Sequence, residues 1–176
     1  MKVEKTEIIC QGKFLKLKRE YTDRGIWESV DMDGHTETAV VIAITKDNEV
    51  LLEKHYRVPL RKYVIELPAG LVDDESPEEC ARRELLEETG YEANELIYLF
   101  KGVVCQGLTR MESYYFYAPN VIYKSAQNLE PTEEIEILKI PLKDLDDFLF
   151  NLSDDLILSS NVLSVVYSLR RYLGKY

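Results

Sequence analysis

Residues 37 to 45 read ETAVVIAIT, a near-continuous apolar and β-branched run. A strand with one face in water alternates apolar and polar residues, whereas a run without alternation demands cover on both faces. The chain therefore needs a sheet with further layers on either side of it. KFLKLKREY (13–21) and IWESVDM (26–32) read as strands joined by a turn at Asp23-Arg24-Gly25. EVLLEKHYR (49–57) follows a turn at Lys46-Asp47-Asn48, and ELIYLFKGVV (95–104), ESYYFYAPNVIY (112–123) and EIEILKIPL (134–142) read as three more strands. Helices are expected between Asp73 and Gly90, over Leu142 to Leu149, and over Ser160 to Leu173. The last carries Val162, Val165, Val166, Leu169 and Leu173 on one stripe. Strands with few interspersed helices and no βαβ alternation predict an α+β fold: a mixed sheet sandwiched between helices (α/β/α), with an N-terminal antiparallel hairpin region.

A chain of 176 residues can bury a sizeable core without disulfides or a structural metal. Its formal charge of −10 argues against a nucleic-acid partner, since phosphate backbones bind basic surfaces. Cys10, Cys80 and Cys105 are odd in number and widely spaced, which suits a reducing compartment. MKVEKTEIIC gives no secretory leader pattern, and no stretch approaches the ~20 apolar residues of a membrane span. The expected location is the cytoplasm.

The helix before Gly90 has explicit ends. Ser76 can serve as N-cap, Pro77 occupies the first helical position, Glu79 completes a capping box, and Gly90 supplies the left-handed residue beyond the last turn. At about 100° per residue, Ala81, Leu85 and Thr89 share one face, and Glu84, Glu87 and Glu88 occupy a neighbouring one. Like charges at these spacings repel by a few tenths of a kcal/mol per pair, and the last turn also carries the negative end of the helix dipole. An acidic face in solvent is one reading of this pattern. A cluster of oxygen ligands for a hard divalent ion such as Mg²⁺ or Mn²⁺ is the other.

The segment GLVDDESPEECARRELLEETGY (70–91) resembles the Nudix box, G-x5-E-x7-R-E-U-x-E-E-x-G-U with U a bulky apolar residue. Glu75, Arg83, Glu84, Leu85, Glu87, Glu88, Gly90 and Tyr91 fall at the box spacings, and one residue fewer separates Gly70 from Glu75. The resemblance implies a Nudix fold and hydrolysis of a nucleoside diphosphate linked to another group, with Mg²⁺ or Mn²⁺ as cofactor. It makes Glu84 and Glu88 the principal metal ligands, Glu87 a ligand or a partner of metal-bound water, and the Ala69 carbonyl a further ligand. Arg83 would orient a glutamate; an ordinary i,i+4 pair with Glu87 or Glu79 is the plainer reading.

Beyond the box, GKFLKLKREY, WESV and HYRVPLRKYVIELPAG are similar to the ADP-ribose pyrophosphatase and nucleotide-sugar hydrolase branch. That similarity implies a homodimer, with residues 1–36 serving dimerisation and base binding and residues 37–176 forming the hydrolase domain. Arg57 would contact the diphosphate, and Glu66 would bind metal water or hold Arg57. A catalytic glutamate would come from EPTEEIEI, with Glu133 first and Glu134 next. Phe14 and Trp27 would sandwich the base across two subunits, unless they simply pack in a hairpin or interface. Gln106 stands where ADP-ribose hydrolases usually carry proline; with Thr109, Arg110 and Glu112 it is a candidate for the sugar pocket, and an approach of Glu112 to the metals is the alternative. The substrate class implied is a nucleoside diphosphate sugar, ADP-ribose first, with GDP-mannose or another nucleotide sugar as alternative. A nucleotide-sugar-sensing module without turnover is a reading of another class.

Overall fold

The computed structural model describes residues 1–32 and 34–174; Asp33, Lys175 and Tyr176, which fall within the two regions expected from the sequence, lie outside the described residues. The chain runs β1 (Val3–Gln11), β2 (Lys16–Thr22), β3 (Gly25–Asp31), β4 (Glu37–Thr45), β5 (Glu49–Arg57), β6 (Lys62–Glu66), β7 (Ala69–Leu71), α1 (Pro77–Thr89), β8 (Tyr91–Glu92), β9 (Ile97–Val103), β10 (Glu112–Tyr123), β11 (Ile135–Pro141), α2 (Leu145–Phe150), β12 (Leu156–Leu158) and α3 (Ser160–Tyr172). The first three strands form a separate antiparallel sheet, and the other nine form a mixed one. Within the mixed sheet β4 pairs β10 and β12 pairs β6 in parallel, while the remaining pairs are antiparallel.

Strand β4 is the spine of the mixed sheet, and its burial follows from its sequence. Every residue from Ala39 to Thr45 is buried. Val40, Ile42 and Ile44 face a core shared with Leu145 and Leu149 of α2 and with Val162, Val165, Val166 and Leu169 of α3. Ala39, Val41 and Ala43 face the opposite core with Cys80, Ala81 and Leu85 of α1. The small side chains on the second face let α1 approach the sheet closely. These two layers are the α/β/α sandwich expected from the uninterrupted run.

Two expectations change in detail. The N-terminal hairpin is a three-stranded meander, because β1 adds its backbone ladder to β2. VEKTEIICQ is exposed along nearly its whole length, so main-chain hydrogen bonding rather than a buried face holds it there. The second helix begins at Leu145, three residues later than its apolar pattern suggests, since Lys143 and Asp144 belong to the turn after Pro141. The long β10 carries Pro119, which has no N–H to donate; the ladder to β4 is irregular between Ala118 and Val121, and Asn120 takes a φ of 52°. No described helix is long and apolar enough to cross a membrane.

Helix α1 is fixed at both ends. Ser76 Oγ accepts from the Glu79 N–H at 3.2 Å while Glu79 accepts from the Ser76 N–H at 2.8 Å, completing the capping box. At the other end Gly90 adopts φ 76°, and its N–H donates to the Leu86 carbonyl. The last-turn carbonyls find donors in the segment after β10: the Asn128 N–H reaches Glu87 O at 2.8 Å and Gln127 Nε2 reaches Glu88 O at 2.6 Å. These contacts satisfy the negative end of a helix whose last turn has no Lys or Arg. A Cβ on Gly90 would sit 2.1 Å from the Ser125 carbonyl oxygen, on top of the left-handed strain. Gly90→Ala should therefore lower stability by at least about 1 kcal/mol, read as a reduced urea midpoint with an unchanged m-value.

Candidate active site

Helix α1 and the loop before β11 deliver acidic side chains to one cleft, beside β7. Helix α1 presents Glu84, Glu87 and Glu88, β7 lies against it, and the loop before β11 brings Glu133. The cleft has a volume of about 460 Å³, and its walls include Arg57, Ala69, Glu84, Glu87, Glu88 and Glu133. Together with Arg83, which also lines the cleft, seven of the residues singled out in the sequence, spread from position 57 to position 133, are thus assembled at one place.

Arg83 organises the cluster. Its Nε and Nη2 donate to Glu75 Oε1 at 3.0 and 2.7 Å, and Nη1 donates to Glu84 at 2.6 Å and to Glu87 at 3.0 Å. Burial works against the guanidinium charge, but its hydrogen bonds to the three glutamates outweigh it and hold Arg83 above its usual pKa. The i,i+4 contact with Glu87 is present, as is the orienting contact with Glu84; Glu79 is committed to the cap instead. Glu75 meets Arg83 despite the shortened approach from Gly70, so the missing loop residue does not break the clamp.

Gly70 and Ala69 seat the helix against the sheet. A Cβ on Gly70 would lie 1.8 Å from Glu84 Oε1, so only glycine admits that carboxylate. The Ala69 N–H donates to Glu88 Oε2 at 2.8 Å. Glu88 is only 3% exposed. Burial, and next the charge of Glu53, hold its pKa well above the usual carboxylate range. Burial likewise raises Glu84. Arg57 donates through Nε and Nη2 to Glu66 at 2.9 and 2.5 Å, so Glu66 holds the arginine, one of the two roles expected of it.

The other expected residues divide by place. Glu133 accepts from the Glu130 N–H at 2.8 Å and lines the cleft, whereas Glu134 accepts from the Tyr63 hydroxyl. Trp27, Gln106 and Arg110 border a separate cavity of about 260 Å³ between β3 and the 106–110 loop. There Trp27 Nε1 donates to the Gly107 carbonyl at 3.2 Å, and Arg110 pairs with the buried Asp31 at 3.1 Å. Phe14 lies in the β1–β2 turn, 68% exposed. Trp27 pairs with Glu20, four residues or roughly 13 Å along β2 from Lys16, and Phe14 lies beyond Lys16 in the other direction. The two rings therefore do not flank one base within a protomer. Glu112 pairs with Lys101 at 2.5 Å and is absent from the walls of these cavities, because its position on β10 is taken up by that cross-strand ion pair.

A further cavity of about 400 Å³ adjoins the acidic cleft, with Met32, Arg57, Ala69, Gly70 and Leu71 common to both. Its remaining walls carry the polar side chains of Thr38, Thr109, Ser113 and Asn161. Sequence reasoning passed over two residues on the same face of β5. Glu53 and His55 are buried, and Glu53 Oε1 and His55 Nδ1 have no hydrogen-bond partner among the described residues. The available signal was an acid two positions after Leu51, on the inward register of a strand.

The donor set consists of hard carboxylate oxygens, repelling one another in a buried place, with one oxygen unpaired; that chemistry fits a divalent cation. Among the described residues no three acidic, His or Cys side chains already stand at coordinating spacing. Arg83 occupies Glu84 and Glu87, and the Ala69 N–H occupies Glu88.

A model of the NUDIX domain matches residues 34–158. The chain belongs to the Nudix family. It is 31% identical over 145 residues to a methanol dehydrogenase activator of Bacillus methanolicus, covering 80% of this chain and 78% of that protein. It is 30% identical over 142 residues to an ADP-ribose pyrophosphatase of Bacillus subtilis, covering 78% and 77%. A GDP-mannose pyrophosphatase of Escherichia coli is 32% identical over 139 residues, covering 74% and 67%. Among solved structures, an ADP compounds hydrolase superposes with a TM-score of 0.82 at 23% identity, over 98% of this chain and 94% of that one, which establishes the Nudix fold. Nudix hydrolases generally require divalent metal ions, in keeping with the carboxylate chemistry of the cleft.

Two outcomes follow from this geometry. Gly70→Ala should fold with stability within about 1 kcal/mol of the parent, because the flexible Glu84 side chain can swing away. Divalent-ion affinity should nevertheless fall about tenfold or more, as titration calorimetry with Mn²⁺ would show. In the metal-free protein, Glu53 and Glu88 have pKa values raised by burial, so the folded chain binds more protons than the unfolded one above the ordinary carboxylate pKa. Stability then decreases as pH rises through that window. With chelator present, Tm should fall by roughly 5 °C between about pH 7 and about pH 9, measured by differential scanning fluorimetry.

Proposed function

We propose that the protein hydrolyses the pyrophosphate bond of a nucleoside diphosphate sugar, ADP-ribose first among candidates, to a nucleoside monophosphate and a sugar phosphate, using Mg²⁺ or Mn²⁺. The observation that carries this reading is the position of Arg57, which borders both the acidic cleft and the adjoining polar cavity. A diphosphate beside Arg57 sets its phosphorus atoms against the carboxylates and leaves a hydroxyl-bearing group in reach of Thr38, Ser113 and Asn161. The named activities of the Bacillus subtilis and Escherichia coli relatives support the same class, and the GDP-mannose enzyme among them keeps that substrate as the alternative.

Each side chain then has a task. Glu66 fixes two donors of Arg57, which leaves the rest of the guanidinium to neutralise diphosphate oxygens. Glu133, at the cleft wall, accepts the proton of the attacking water as its oxygen bonds to phosphorus and the bridging P–O bond breaks. Glu84, Glu87 and Glu88, with the Ala69 carbonyl, would hold the divalent ion, which when bound neutralises phosphate charge and lowers the pKa of that water. Arg83 keeps Glu84 and Glu87 oriented.

Base recognition belongs to the N-terminal sheet, residues 1–36, with residues 37–176 carrying hydrolysis. Trp27 is 51% exposed, and Ile8, Phe14, Leu15 and Ile26 are exposed on the same sheet and its turn. A homodimer in which Phe14 of one protomer and Trp27 of its partner enclose the base covers this apolar surface. The protein acts in the cytoplasm, without a nucleic-acid or membrane partner. Phosphate release from ADP-ribose, GDP-mannose and nucleoside triphosphates, coupled to a phosphatase and measured with and without Mg²⁺, tests the class; metal-dependent cleavage of a nucleotide sugar is expected, and a preference for triphosphates would overturn it. Trp27→Ala should raise KM about tenfold and leave kcat nearly unchanged, as loss of a base-stacking surface predicts.

A further inference from the structure

Strand β5 turns Leu51, Glu53, His55 and Arg57 to one face, running from the core beneath α1 to the acidic cleft. Glu53 stands at the boundary, 1% exposed. Its carboxyl meets that of Glu88, its cross-strand neighbour on β6 is Glu66, and its Oε1 touches no hydrogen-bonding group among the described residues. The nearby guanidinium of Arg57 is directed to Glu66. A buried acid costs stability unless it is paired, and an apolar side chain would fill this space without that cost. Glu53 is therefore placed for a partner that the protein chain itself does not provide.

We propose that Glu53 is an inner carboxylate of the divalent-cation site, acting behind Glu88, with its unpaired oxygen satisfied by the cation or by water bound to it. The inference rests on the assignment of Glu88 as a metal ligand. It extends the acidic set from one helix to the central sheet: α1 supplies Glu84, Glu87 and Glu88 from one side, and β5 supplies Glu53 from beneath. A carboxylate on a rigid strand fixes the depth at which Glu88 sits, which a helix side chain alone cannot do.

Glu53→Gln keeps the shape and removes the charge, so binding of Mn²⁺ to the intact protein tests the proposal without recourse to turnover. Calorimetry or the loss of free Mn²⁺ signal in electron paramagnetic resonance should show affinity weakened by roughly 10- to 100-fold. The metal-free Tm should be equal to or above that of the parent, since a buried acid has been replaced by a neutral amide. Glu53→Asp withdraws the carboxylate by one methylene and should also weaken Mn²⁺ binding, which keeps the test available if the glutamine variant does not fold. Glu88→Gln serves as the reference. If it loses Mn²⁺ affinity while Glu53→Gln and Glu53→Asp stay within about twofold of the parent, Glu53 is no part of the site and the proposal fails alone. If the parent itself takes up no Mn²⁺, or Glu88→Gln binds as the parent does, the metal assignment of Glu88 fails and the proposal fails with it.

Discussion

The guanidinium of Arg83 allows one short segment to crowd acids that would otherwise drive it apart. It draws Glu75 from the loop and Glu84 and Glu87 from the helix onto a single planar fork. Lysine could not do this, because an ammonium offers no rigid set of divergent donors. The clamp also fixes the path from β7 into α1, and that path sets where Ala69 meets Glu88 and where Gly70 admits Glu84. The cleft is thus built around an internal cation.

The frame beneath the clamp explains why the helix stays in place despite its charge. Close packing of α1 depends on the small residues Ala39 and Ala43 of β4 facing Cys80, Ala81 and Leu85. The unfavourable end of the dipole is met by backbone and amide donors from residues 124–128 rather than by a basic side chain. The electrostatic conflict visible in the sequence is therefore distributed. Arg83 relieves the repulsion between side chains, the segment after β10 satisfies the carbonyls, and the buried Glu53–Glu88 contact is left uncompensated.

What could be read from the chain follows the same physics. The both-face burial of β4, the capping box at Ser76 and Glu79, the left-handed Gly90 and the apolar stripe of α3 were legible because each has a local chemical signature. Strand β1 was not, since its exposed residues carry no alternation and only its hydrogen-bond ladder makes it a strand. In the site, α1 was legible through its spacing. The Lys101 partner of Glu112 was not legible, because it is supplied by a neighbouring strand. Glu53 was missed because a single acid in a strand becomes informative only when the helix that faces it is known.

The division of labour across the molecule limits what the acidic cleft alone can decide. In the proposed reading its carboxylates and Arg57 meet metal and phosphate, groups common to all nucleoside diphosphate sugars, and so do not distinguish among them. In the same reading the discriminating contacts come from surfaces that meet the base and the sugar. The 105–110 loop borders both outer cavities: Thr109 lines each, Gln106 and Arg110 face the Trp27 side, and Cys105 faces the polar cavity. Its backbone is tied to the N-terminal sheet through the Val30 N–H to Leu108 carbonyl bond and the Trp27 contact with Gly107. A change in how the N-terminal sheet packs would therefore be transmitted to both outer cavities, while leaving the Arg83 clamp and the sheet beneath it untouched. The loop and the sheet against which it is hung thus form one continuous wall around both outer cavities.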